Sequence, residues 1–233
     1  MKISVIIPMY NESAIIADTA RALSDYMQKS FDSYEIIFFD DGSADGSRGI
    51  VSALELPCVR ALGYEQNRGK GSAVRHAMLS ASGEVCIFTD ADLAYGTDVI
   101  KQACELLRTS GADMLIGSRN LGKDGYEGYT FLRRIASKTY RALLCFVGGF
   151  RLSDSQCGLK AFTADTAQQI FSECEVDGFA FDFEVILRAT KRGKRIVEMP
   201  VKVLNHRDSS VHLLRDARRM LADLRRIKKN IDK

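Results

Sequence analysis

The chain of 233 residues lacks what a nucleic-acid binder, a disulfide scaffold or a membrane span would need. Charge of one sign is missing: 33 Lys and Arg stand against 30 Asp and Glu, a net of +3. That leaves no footprint for wrapping nucleic acid, so any cationic role is local. Paired cysteines are missing. Cys58, Cys86, Cys104, Cys145, Cys157 and Cys174 are scattered with no C-x-x-C spacing, which argues against zinc or thioredoxin-type chemistry and for reduced thiols in a cytosolic protein. Long apolar runs are missing too. The N-terminal run ends at Pro8, too early for a signal-peptide core, and no run approaches the roughly 18 residues that cross a bilayer. We therefore expect a protein that is neither exported nor membrane-spanning. What is present is an ordinary globular composition, 46% hydrophobic and 27% charged, which excludes intrinsic disorder and suffices for one core without staples.

Short apolar runs alternate with segments of helical period, the pattern of strands and helices around a largely parallel sheet. We predict strands at 3–8, 35–39, 59–64, 84–89, 113–117 and 195–203. Helices are predicted up to about Lys29 and over 72–82, 97–109, 131–146, 164–172 and 182–192, with a last basic helix from about Leu213. Gly83 is expected to end its helix in a left-handed conformation. Asp45 is expected to cap the helix after it, residues 120–129 to form a mobile loop, and residues 153–162 a hairpin or loop. One domain is expected: a nucleotide-sugar half over 1–118, an acceptor half over 119–212 and the terminal helix over 213–233.

In an open α/β sheet, ligands bind outside the carboxyl ends of the strands. Tyr10-Asn11-Glu12, Asp40-Asp41 and Asp90-Ala91-Asp92 each follow a predicted strand directly, so all three should reach one sheet edge. Two carboxylates separated by one small residue can share a hard divalent cation, with water and a diphosphate filling its shell. The stretch Asn67-Arg68-Gly69-Lys70-Gly71-Ser72 is not a P-loop: five residues separate Gly63 from Gly69, and Gly71 stands where the metal-binding Ser or Thr belongs. Lys70 and a helix N-terminus could still bring positive charge to a nucleotide diphosphate.

Taken in order, Ile6-Ile7-Pro8-Met9-Tyr10-Asn11-Glu12, Asp40-Asp41-Gly42-Ser43, Asn67 to Gly71, Asp90-Ala91-Asp92 and Gly117-Ser118-Arg119 resemble the family 2 glycosyltransferases, whose fold is the mostly parallel, Rossmann-like α/β sheet called GT-A. Three later stretches, Phe131 to Lys138, Asp154-Ser155-Gln156-Cys157-Gly158-Leu159-Lys160 and Phe179 to Glu184, are similar to the polyprenyl-phosphate sugar synthases. The Gln-Cys-Gly segment most resembles the dolichyl-phosphate glucosyltransferases, with the mannose synthases second.

The resemblance implies a set of roles. Tyr10 would lie against the nucleotide base, Pro8 and Glu12 would shape its pocket, and Asp41 would accept from the ring N–H. Asp90 and Asp92 would hold Mg²⁺ or Mn²⁺ on the diphosphate, helped by Lys70. Arg119 and Arg207 match donor-phosphate contacts and Arg133 and Ser137 acceptor-phosphate contacts, where a planar guanidinium suits phosphate oxygens; Arg134 is equally a solvated position. Some mannose synthases carry a third metal ligand where this chain has Ala94, so water or backbone would complete the shell.

The implied reaction is inverting transfer of a hexose from a nucleotide sugar, UDP-glucose first and GDP-mannose second, to a polyprenyl phosphate at the cytoplasmic membrane face, with room for a membrane-spanning partner protein. A phosphate acceptor is largely dianionic at pH 7 and needs no base. The alternative, transfer to a hydroxyl of a surface glycan, needs one, and Asp154, Asp182 and Glu184 are the candidates, with Asp92 and Arg119 also at the reacting end. The third reading is a non-catalytic nucleotide-sugar-binding protein. The terminal helix sets Leu213, Leu214, Ala217, Met220, Leu221, Leu224 and Ile227 on one side and basic residues on the rest, a pattern for docking on the sheet or for anionic lipid.

Overall fold

The computed structural model describes residues 1–122 and 144–204, together with 224, 227 and 231. The first strand, β1 (Ile3–Met9), is buried along its whole length, as a strand covered on both faces must be. Pro8 is tolerated because β4 pairs only with Ile3 to Ile6, so the proline sits where β1 has one neighbour. There follow α1 (Ile16–Ser30), β2 (Tyr34–Asp41), α2 (Ser47–Ala53), β3 (Val59–Tyr64), α3 (Lys70–Leu79), β4 (Val85–Phe88), α4 (Asp98–Ser110) and β5 (Met114–Ser118). After residue 143 come β6 (Lys160–Thr163), α5 (Ala164–Phe171), α6 (Phe181–Lys191) and β7 (Ile196–Pro200).

The seven strands form one sheet in the order β3-β2-β1-β4-β6-β5-β7. β6 alone runs antiparallel to its neighbours β4 and β5. Alternation along each strand feeds two cores. Ile37, Phe39 and Phe88 pack with α3, α5 and α6, while Ile36, Phe38 and Ile87 pack with α1 and α4. The predicted α/β architecture is the one observed.

Four local expectations need correction. Residues 160–163 form a central strand, invisible as such because it is four residues long and follows an irregular loop. Gly83 is not left-handed; it is required because a Cβ there would meet the Ser4 amide and hydroxyl at 2.6 Å. The helix it was expected to close ends at Leu79. Asp45 is not the cap of α2 either: the N-cap is Gly46, with no side-chain cap bond, and Asp45 one position earlier accepts from the Ser47 amide at 3.0 Å.

Most of the 120–129 loop, the first part of the 131–146 helix, and Arg133, Arg134, Ser137 and Arg207 lie outside the described residues. Of the terminal helix, Leu224 and Ile227 are described, and both are buried in the core with α5 and α6. At those two positions the apolar stripe docks on the protein. Among the described residues no helix is long and apolar enough to cross a membrane, and all six cysteines are unpaired.

Candidate active site

Several segments meet at the carboxyl edge of the sheet. The tail of β1 is tied to the tail of β2 by its own backbone: the amides of Asn11, Glu12 and Ser13 donate to Ser43 Oγ, Ser47 Oγ and Asp45 Oδ2 at 2.8–2.9 Å. Asn11 takes a left-handed φ of 54°, a conformation asparagine tolerates, and its side chain accepts from the Ala44 amide. Pro8 stays buried in β1 and Glu12 is half-buried, while Tyr10 is left 49% exposed.

Asp41 has a role that its position in the motif does not announce. Its carboxylate, 4% exposed, accepts from Tyr64 Oη at 2.6 Å, Asn67 Nδ2 at 2.9 Å and the amides of Arg68 and Gly69. Those donors fill the four or so lone-pair sites a carboxylate offers. Asp41 therefore shapes the 64–69 loop, and a base N–H would be a further donor on a filled group. Arg68 lies over the Tyr64 ring at 4.8 Å.

The helix terminus expected to face a phosphate faces protein instead. The Gly71 and Ser72 amides at the start of α3 donate to the Asp177 carbonyl at 2.8 and 3.3 Å. Gly69 and Gly71 permit this approach, since a Cβ on either would come within 2.4 Å of the carbonyl oxygens of residues 177 and 176. The positive charge α3 brings to the site is thus the Lys70 ammonium.

Lys70 lies within a dense charge cluster. Its Nζ donates to Asp90 Oδ1 at 2.5 Å. Burial opposes its charge, but Asp90, Asp182 and Asp92 around it raise the ammonium pKa. Asp92 is pushed up by burial and by the charge of Asp90, and Glu12 adds to the repulsion, which places the tail of β1 beside the tail of β4. The turn is pinned by Thr19 Oγ1 donating to the Ala91 carbonyl at 2.7 Å, and by the Ala94 amide donating to Asp92 Oδ1 at 3.0 Å. Ala94 thereby orients the second carboxylate.

Among the described residues no group of three or more His, Cys, Asp or Glu side chains could hold a metal. The pair fits a hard divalent cation all the same: two oxygen donors, mutually repelling and partly buried, would be relieved by one, and a diphosphate and water supply the remaining ligands.

Lys160 and Glu198 complete the site, and neither was anticipated. Because β6 is antiparallel, its first residue arrives at the edge where the parallel strands end, with Lys160 opposite Phe88. Its side chain is 0% exposed and donates to Asp182 Oδ1 at 2.5 Å and the Cys157 carbonyl at 2.9 Å. Burial pushes the Asp182 carboxyl up, and Lys160 and Lys70 pull it back. Glu198 on β7 accepts from the Ser153 amide and hydroxyl and from the Asp154 amide at 2.6–3.2 Å.

Asp154, so oriented, takes Arg119 in a two-pronged pair, Nε–Oδ2 2.6 Å and Nη2–Oδ1 3.0 Å, and raises the guanidinium pKa against the effect of burial. Asp154 is thus committed to Arg119 in this geometry. Glu184 is committed as well: it is 1% exposed and accepts from the amides of Glu175 and Val176 and from Arg188. A signal was available for Lys160 in the polar stretch Ser153 to Lys160; Glu198, inside a strand, offered none.

A sheet of this order, with carboxylates and cations gathered at its carboxyl edge, is the GT-A glycosyltransferase fold. The chain overlays on the crystal structure of glucosyl-3-phosphoglycerate synthase from Mycobacterium tuberculosis in complex with Mn²⁺, UDP and phosphoglyceric acid, with a TM-score of 0.76, over 97% of this chain and 78% of that one at 20% identity. The chain belongs to glycosyl transferase family 2, whose family model matches residues 4–171. It is 31% identical to a dolichyl-phosphate beta-glucosyltransferase of Dictyostelium discoideum over 97% of this chain and 73% of that protein. To the enzyme of the same name from Drosophila melanogaster it is 33% identical, over 87% and 67% respectively.

Proposed function

We propose that the chain transfers glucose, with inversion, from UDP-glucose to a polyprenyl phosphate of the dolichyl type at the cytoplasmic face of a membrane, and that Asp90 and Asp92 hold Mg²⁺ or Mn²⁺ for the reaction. The names of the relatives support the sugar and the acceptor, and the ligands of the mycobacterial structure support UDP and the metal.

The observation that carries the reading is the state of the candidate bases. Asp154 is engaged by Arg119, Glu184 by Arg188 and two amides, and Asp182 by Lys160. A sugar hydroxyl must surrender a proton as it attacks; a phosphate monoester, with a second pKa near 6, attacks as the dianion and needs no base. With these three candidate bases committed, the site suits the second acceptor.

The remaining roles extend the same reading. Tyr10 offers a face to the nucleotide base, and the 64–69 loop organised by Asp41 bounds that side. Lys70 brings a positive charge next to Asp90, where the leaving diphosphate develops charge, and Arg119, fixed by Asp154, presents a guanidinium to phosphate oxygens. A bound divalent cation would stabilise the departing nucleoside diphosphate as a Lewis acid.

The test is incubation with radiolabelled UDP-glucose or GDP-mannose, dolichyl phosphate and Mn²⁺, followed by lipid extraction. Label is expected in the lipid phase from UDP-glucose, abolished by EDTA and restored by Mn²⁺. No extractable label from either donor overturns the acceptor assignment, and label from GDP-mannose alone overturns the sugar.

A further inference from the structure

Asp182 stands between two lysines. Lys160 holds it at 2.5 Å from the interior, with its side chain 0% exposed and its ammonium 5.3 Å from the centre of the Phe88 ring. On the other side the charges of Asp182 and Lys70 act on one another, while Lys70 itself reaches Asp90 at 2.5 Å. From the interior outward the order is Lys160, Asp182, Lys70, Asp90. A buried lysine is expensive, and a buried ion pair is often replaced by apolar residues with no loss of stability. The placement of a fully buried lysine beside Phe88 therefore asks for a reason other than folding.

We propose that Lys160 is a positioning residue for the nucleotide diphosphate, acting through Asp182 to keep Lys70 available. The inference rests on the metal- and nucleotide-dependent transfer proposed above. When Asp90 turns to a divalent cation, the Lys70 ammonium loses its partner and two anions compete for it, the Asp182 carboxylate whose charge already acts on it and a phosphate oxygen. With Lys160 saturating Asp182, the phosphate wins. Without Lys160, Asp182 is an unpaired anion facing the nearest cation, and it captures Lys70. Asp182 is then a group that must be restrained, so its removal costs the nucleotide little while loss of its restrainer costs much.

The prediction is an asymmetry measured by calorimetric titration of UDP in saturating Mn²⁺, with the thermal midpoint of each protein recorded alongside. Lys160→Met weakens UDP by about tenfold or more, the scale of one hydrogen bond to a charged group. Adding Asp182→Asn to that variant brings the affinity back to within about threefold of wild type. In a Lys70→Met background, Lys160→Met causes no further loss, because the residue through which it acts is gone.

Wild-type affinity in Lys160→Met, or the same loss repeated in full on Lys70→Met, overturns the proposal. If Lys160→Met does not fold, Asp182→Asn and the Lys160→Met/Asp182→Asn pair decide: both keep UDP within about threefold, and a tenfold loss in either refutes the mechanism. Failure of the wild type to bind UDP at all is a different result, which removes the donor assignment itself.

Discussion

Gly158→Ala should disable the site while leaving the fold nearly intact. An added Cβ at this position would lie 1.9 Å from Asp90 Oδ2 and 2.7 Å from its Cγ, where ordinary contact begins at 3.4 Å. The carboxylate must therefore retreat by roughly 1.5 Å, since repulsion rises steeply inside the contact distance. Gly158 cannot yield easily, because its amide donates to Tyr95 Oη and the neighbouring Cys157 carbonyl is held by Lys160. Overpacking of this kind costs about 1–3 kcal/mol, and at about 2–4 °C per kcal/mol the midpoint should drop by no more than about 12 °C. Catalysis should suffer far more: a misplacement of about 1 Å in a reacting geometry costs on the order of a hundredfold, and here the displaced group is a proposed metal ligand that also partners Lys70. The assay is kcat/KM for lipid-linked product as a function of Mn²⁺, beside a thermal melt. Wild-type kcat/KM and an unchanged Mn²⁺ requirement in Gly158→Ala would show that Asp90 does not act from the position seen here.

Three further outcomes follow from the same geometry. Asp154→Asn takes the charge out of the two-pronged pair with the largely buried Arg119 guanidinium and should destabilise by about 1.5–3 kcal/mol, read from urea unfolding; a change under about 0.5 kcal/mol would mean the pair is not formed in solution. Asp45, at about 2 against an ordinary 3.8, is pulled down by amide and hydroxyl donors from Ser13 and Ser47 that outweigh burial. Its folded pKa is the lower one, so its stabilisation is complete above about pH 4 and lost as pH falls towards 2. The melting temperature of Asp45→Asn should fall less over that interval than the wild type's, and equal slopes refute the assignment. In the native protein Cys58, the one exposed thiol, should react first with iodoacetamide. Cys86 and Cys104, buried and pushed by burial up to about 11 and 12, should resist until denaturant is added; mass spectrometry of the labelled peptides checks the order.

The parts of the site that were legible in the sequence are those where a strand runs straight into polar residues: Tyr10 to Glu12 after β1, Asp40-Asp41 in β2, Asp90 and Asp92 after β4. A run of buried residues that turns abruptly polar marks the carboxyl edge of a parallel sheet, and that rule needs no long-range information. What escaped depends on partners remote in the chain. Arg119 and Asp154 are 35 residues apart, and nothing in either segment says that one carboxylate is reserved for the other. Asp41 reads as a ligand until the 64–69 loop is seen wrapped on it, and the α3 N-terminus reads as an anion site until the Asp177 carbonyl is found on it. Glu198 lies within β7, where alternation assigns it only a face.

The reversal of β6 explains why so much of the site comes from seven consecutive residues. In a wholly parallel sheet every strand would begin at the edge remote from the ligand, and a residue there could reach the site only across the core. β6 runs the other way, so the chain enters it at the functional edge and the loop before it must cross that edge. Within this passage Asp154 fixes Arg119, Gly158 leaves the space Asp90 occupies, and Lys160 pins Asp182. The three contacts reach into residues following β5, residues following β4 and the first turn of α6, so a single segment sets the relative placement of the cation-holding pair and the arginine. A shift of one residue in β6 would break all three together, because in a strand it also carries every side chain to the opposite face. The carbonyl and amide of residues 159 and 117 resist such a shift with a bond of 2.9 Å. The short central strand is thus as much a part of the active site as the aspartates it adjoins.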